Sequence, residues 1–155
     1  MTYYSTVNDI RDEAGFKGNS NIKNETILKY QKEAYSYIRS RIAAKYVITN
    51  LVIGNPSFDD SDARKFLKRV EELFAAWRLL IKEYGPDGTE QKEQGEIRLE
   101  DGEQKIQSLF ESPFAARLVD INWVEFERVP FASSWSPVSS GMIGVQNKFT
   151  IDQKF

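Results

Sequence analysis

The fold is decided by residues 61–86, SDARKFLKRVEELFAAWRLLIKEYGP. Apolar side chains recur here in steps of three and four, which predicts a long amphipathic helix. Ser61 or Asp60 is placed to cap the start of this helix, and Gly85 and Pro86 are placed to stop it. The main apolar row consists of Phe66, Val70, Leu73, Trp77, Leu80 and Tyr84.

A second apolar row runs about 100° round the same helix. It consists of Leu67, Phe74 and Ile81, which are spaced seven residues apart. One apolar face would be enough to close a small two-layer domain. Two faces predict either a central helix or a helix that reserves one face for a neighbouring subunit.

Two helices are predicted before this one. In the first, Thr6 and Asp9 form a capping-box pattern, and Gly15 can end the helix in left-handed geometry. The second is expected to begin with Asn24 as its N-cap and to end near Tyr46. The β-branched stretch that follows, VITNLVIG, fits either a short buried strand or a packed turn.

Residues 86–105, PDGTEQKEQGEIRLEDGEQK, are polar and interrupted by glycines. This composition predicts a solvated excursion, with a weak hairpin around Gly95 to Leu99. A short helix is expected from Glu103 to Phe110. Residues 1–112 are therefore predicted to form a helical body.

The character of the chain changes at Pro113. Aromatic and β-branched residues become frequent, and residues 129–155 contain only Lys148, Asp152 and Lys154 as charged side chains. Alternating apolar positions predict a bulged strand at 119–128 and a strand-like piece at 142–151. The predicted class is therefore mainly α, a small helical bundle with an extended, partly β C-terminal arm over 113–155.

An arm this apolar needs a cover, because a free one would aggregate. It could pack on another chain, complete the core of its own domain, or be disordered. We favour the first alternative, since disordered segments are usually poor in aromatic residues and rich in charge. The candidate interface residues are Trp123, Phe126, Phe131, Trp135, Ile143, Val145, Phe149 and Ile151.

The chain contains neither cysteine nor histidine. Thiolate nucleophiles, imidazole acid–base catalysis and the usual zinc ligands are thereby excluded, and we expect no catalytic residue, cofactor or metal.

The net charge of −2 argues against a dedicated nucleic-acid binder. The basic run at 64–69 is interpreted as the solvated face of a helix. No apolar run approaches the roughly 20 residues that cross a bilayer.

The order of these features resembles the head–tail connector (adaptor or head-completion) proteins of tailed bacteriophages. The opening Tyr3-Tyr4-Ser5-Thr6 with Asp9-Ile10 is similar to their entry into a short first helix. The apolar positions from Ile27 to Tyr46 resemble their next helix, and those from Phe66 to Tyr84 their long packing helix. The resemblance covers residues 3–84.

This resemblance implies a virion neck subunit, assembled in the host cytoplasm and repeated in a ring with twelve copies expected. Its partners would be itself, the portal protein, and tail or neck proteins, with DNA only passing through the channel. The alternative is a cytoplasmic helical adaptor or regulator that binds one protein partner. An enzyme that uses carboxylates ranks third.

Overall fold

Five helices form the secondary structure of the residues that the computed structural model describes, which are 2–19, 21–84 and 88–111. The predicted mainly α class is confirmed. The helices are α1 (Val7–Glu13), α2 (Asn24–Ala43), α3 (Pro56–Asp59), α4 (Asp62–Tyr84) and α5 (Thr89–Glu111).

The long helix α4 lies at the centre of the bundle and contacts the other four helices. Both of its predicted apolar rows are used, since Leu67, Val70, Leu73, Phe74 and Leu80 are all buried. Helices α1 and α2 contact each other as well as α4, and α5 packs along α4. Of the two alternatives for a helix with two apolar faces, the structure therefore shows the central helix.

Helix α5 contradicts the prediction of a polar excursion over 86–105 and of a hairpin at 95–99. Residues 89–111 form one continuous helix, and the short helix expected from Glu103 is its last part. Gly95 and Gly102 are not loop residues, because both are buried inside the helix. The prediction failed because a glycine costs a helix about 1 kcal/mol, which the packing of α5 on α4 offsets.

The two glycines let α5 approach α4 closely. A Cβ atom added at Gly102 would lie 3.2 Å from Phe74 Cζ, and one added at Gly95 would lie 3.2 Å from Ile81 Cγ1. From Gly95 to Gly102 the residue numbers of α5 rise by seven, while the contacted residues of α4 fall by seven, from Ile81 to Phe74. The two helices are therefore antiparallel. The second apolar row of α4 is therefore covered by the glycine face of α5.

The helix starts follow local hydrogen bonding. Asp9 N donates to Thr6 Oγ1 and Thr6 N donates to Asp9 Oδ2, which confirms the capping box. Ser61 Oγ accepts from Arg64 N (3.2 Å) at the start of α4, as predicted. The expected cap at Asn24 is wrong. Asn24 is the first residue of α2, and its Oδ1 accepts from Arg11 instead (2.7 Å).

The stretch from Val47 to Gly54 is a packed turn. Leu51 is buried, and Gly54 has a φ of 103°, in the region that favours glycine. Asn55 then caps the short helix α3 by accepting from Ser57 N (3.2 Å). The strand alternative for this stretch is thereby excluded.

Gly102→Leu is expected to lower the free energy of unfolding by about 1–3 kcal/mol, because a side chain has no room against Phe74. The control is Gln104→Leu, which adds the same side chain on the exposed face of α5. Urea unfolding followed by circular dichroism measures both. Equal stability of the two variants would contradict the close approach.

Candidate functional site

The eight predicted interface residues all lie outside the described residues. Every one of them belongs to the segment 113–155, so the structure does not test their role. The polar and charged groups of the helical body can be placed. They form three clusters that join distant parts of the chain, one open groove, and two outward-facing surfaces.

A buried carboxylate on α4 holds the start of the chain. Glu71 is fully buried, and its oxygens accept hydrogen bonds from the backbone nitrogens of Ser5 (2.7 Å) and Tyr4 (3.3 Å). The Ser5 hydroxyl and the Gln31 amide (3.4 Å) also donate to it. Burial raises the pKa of the Glu71 carboxyl, while these hydrogen bonds, chiefly those from Ser5, act in the opposite direction.

This carboxylate is structural. A general acid or base must reach the proton that it transfers, and Glu71 is sealed between α4, α2 and the N-terminal segment. The sequence analysis did not single out this residue. The overlooked signal is its place in the second apolar row, between Leu67 and Phe74, because a carboxylate buried there needs partners.

A second cluster joins the N-terminal segment to the turn before α3. The Tyr4 hydroxyl donates to the carbonyl oxygen of Leu51 (2.9 Å), and Arg39 Nη1 donates to both of them (2.8 and 2.7 Å). Arg39 Nη2 also donates to the carbonyl oxygen of Ile48 (3.3 Å). Burial is the main reason why the pKa of the Tyr4 hydroxyl lies well above its ordinary value. The cluster fixes a turn that has no regular hydrogen-bond ladder.

A third cluster links α2 to α5. Glu103 accepts from the Tyr37 hydroxyl (2.8 Å) and pairs with Arg41 at 2.9 Å. Nearby, the Tyr46 hydroxyl donates to the carbonyl oxygen of Leu109. Tyr37 and Tyr46 thus bind α5 through their hydroxyls, while their rings belong to the apolar packing.

Two cations of the basic run at 64–69 form ion pairs within the domain. Arg69 pairs with Glu13 at 2.6 Å, and Lys68 pairs with Asp9 at 3.3 Å. Both partners belong to α1. Two of the cations in this run therefore bind α1 to α4, whereas the sequence had predicted a solvated face.

The groove lies between the end of α1 and the N-terminal half of α5. It has a volume of about 270 Å³, and Phe16, Leu80 and Arg98 contribute to its lining. Arg98 is already paired with Glu13 at 3.2 Å. Within the described ranges no group of three or more acidic side chains is placed to hold a metal ion.

The chain matches no protein-family model, no curated protein and no solved structure. Among the helices of the described ranges, none has the length and apolar character that a membrane span requires.

Glu71→Gln is expected to lower the free energy of unfolding at neutral pH by about 1–3 kcal/mol. The amide keeps the shape but offers one acceptor oxygen where the carboxylate offers two. Urea unfolding at a fixed pH measures the change. Glu100→Gln, on the exposed face of α5, is the matched control and should leave the stability unchanged.

The difference in stability between wild type and Glu71→Gln is expected to depend on pH. The folded-state pKa of Glu71 is raised, so its contribution is greatest below the unfolded value of about 4.3 and decreases as the pH rises through the folded value. The wild type should therefore lose part of its advantage as the pH rises from about 4. Asp9 and Glu72 have shifted pKa values in both proteins and cancel. If the stability difference between the two proteins stays constant with pH, burial does not raise the pKa of Glu71 and the prediction is wrong.

Proposed function

We propose that this protein is a structural virion neck component, a head–tail connector or adaptor subunit. It forms a ring between the portal and the tail, around the channel through which DNA passes. It acts by assembly, with no catalysed reaction. The arm over 113–155 supplies contacts to neighbouring chains.

The observation that carries the proposal is the order of features over residues 3–84. The segments that resemble connector proteins coincide with a capped first helix, a second helix and the long packing helix, namely α1, α2 and α4. A helical body of this kind supports the proposal because a ring subunit needs a rigid core on which its contacts can be carried.

The chemistry of the helical body also supports an assembly role. Its buried polar groups, Glu71 and Tyr4 above all, are committed to hydrogen bonds within the chain. With a net charge of −2, the subunit would not hold passing DNA through its phosphates. The aromatic residues of the arm are the type that anchors protein interfaces, and Trp123, Phe131 and Trp135 are the first to test.

The alternative is a helical adaptor that binds one partner as a monomer or dimer. The same arm would serve this role, since strand addition and aromatic anchoring are not specific to rings. Mass in solution separates the two functions, because a ring contains many copies and an adaptor complex contains few.

The full chain is expected to form rings, alone or on the portal complex of the same phage. Light scattering after gel filtration and negative-stain electron microscopy measure this. A variant with Trp123, Phe131 and Trp135 changed to serine should keep the helical circular dichroism spectrum and lose the rings. A control with Lys17→Ser, in an exposed loop, should retain them.

A chain that stays monomeric beside the portal would contradict the neck function. Removal of residues 113–155 gives a second result. If the remaining chain unfolds, the arm belongs to its own core and the interface interpretation of the arm is wrong.

A further inference from the structure

The outer face of α5 is acidic around one exposed apolar side chain. Ile97 is 59% exposed and lies on the side of the helix opposite Gly95 and Gly102. Glu93, Glu96 and Glu100, one turn or less away along the helix, are all exposed. None of these three carboxylates has an ion pair with another residue of the described ranges.

The outer edge of α2 has the same design with the opposite charge. Leu28 is 43% exposed, and exposed lysines lie beside it at Lys29 and Lys32, with Lys23 before the helix. Glu25 is the acidic side chain on this edge. The lysines have no ion-pair partner within the described part of the chain. Ile97 and Leu28 are the large hydrophobic residues that these ranges leave exposed.

We propose that neighbouring copies of this chain associate by placing the acidic α5 face around Ile97 against the basic α2 edge around Leu28. The occupant of each surface is thus a second copy, chosen by charge complementarity around an apolar centre. A two-fold contact between like surfaces would oppose like charges. A head-to-tail contact pairs acidic with basic, and such contacts generate rings or filaments.

The level of the two surfaces along the bundle favours a ring. The aromatic ring of Tyr37 packs on Phe74, and Glu33 pairs with Arg78. α2 is therefore antiparallel to α4, and Leu28 lies level with residue 83. The contacts of Gly95 and Gly102 place Ile97 level with residue 79 of α4. A separation of four residues is about 6 Å along a helix axis. Copies joined in this way stand side by side with little axial displacement.

The inference rests on the proposed ring assembly and identifies the surfaces that form it. Because the contact is head to tail, each copy uses two different surfaces. A copy with a damaged α5 face still has an intact α2 edge, and the reverse holds for the complementary variant. This asymmetry allows a mixing experiment that a contact between like surfaces cannot mimic.

Ile97→Asp and Leu28→Asp are each expected to abolish assembly of the full chain. Their equimolar mixture should form a 1:1 dimer that stops growing, because one intact face meets one intact edge. Sedimentation velocity measures the three samples. A mixture that stays monomeric while each variant alone still folds by circular dichroism would overturn the inference.

Charge reversal provides a second test of the contact. Glu96→Lys with Glu100→Lys, or Lys29→Glu with Lys32→Glu, should weaken association about tenfold or more, and the four changes together should restore it. Lys65→Glu, on the exposed first turn of α4, is the control and should have no effect. Added salt should weaken the wild-type contact, because the charged rim is exposed.

The outcomes separate this inference from the neck function. Rings that are indifferent to every one of these substitutions would overturn the α5–α2 contact and leave the neck function standing. Charge-sensitive head-to-tail oligomers that do not bind a portal would uphold the contact and overturn the neck function. A wild-type chain that stays monomeric alone and on the portal would overturn both.

Discussion

The close approach of α5 to α4 is the constraint on which the rest of the bundle depends. α4 has two apolar faces, and its second row would face water without a helix lying against it. Gly95 and Gly102 allow that helix to come within van der Waals distance of Phe74 and Ile81. Because α5 carries few large apolar residues of its own, its stability comes mainly from this packing. α1, α2 and α3 also pack on α4.

Glu71 shows how a polar group can organise a core of this kind. A buried carboxylate is costly unless donors surround it, and here the donors come from the N-terminal segment and from Gln31 of α2. Satisfying Glu71 therefore requires that residues 4–5 and α2 reach α4 together. The Tyr4 hydroxyl extends the same segment to the turn at Leu51. Glu71 and Tyr4 thus connect the N-terminal segment, α2 and the turn at Leu51, which are far apart in the sequence.

The parts of the fold that local patterns determine could be predicted from the sequence. The apolar rows of α4, the capping box at Thr6 and the cap at Ser61 depend on residues within one or two turns of each other. α5 could not be predicted in this way, because its glycines favour a loop locally. Their place in a helix is explained only by their close packing against Phe74 and Ile81 of α4. The role of Glu71 was missed for the same reason, since its donors lie 40 or more residues away. The interface residues of the arm remain a prediction.

The antiparallel course of α5 has a consequence for how a subunit could divide its contacts. Ile97 lies level with the last part of α4, whereas α5 ends at Glu111, beside the first turn of α4. Fourteen helical residues separate the two points, which is about 21 Å. Helix α5 therefore ends at the pole opposite the Ile97 and Leu28 surfaces. Contacts made at the two poles of such a subunit would therefore not compete for the same space.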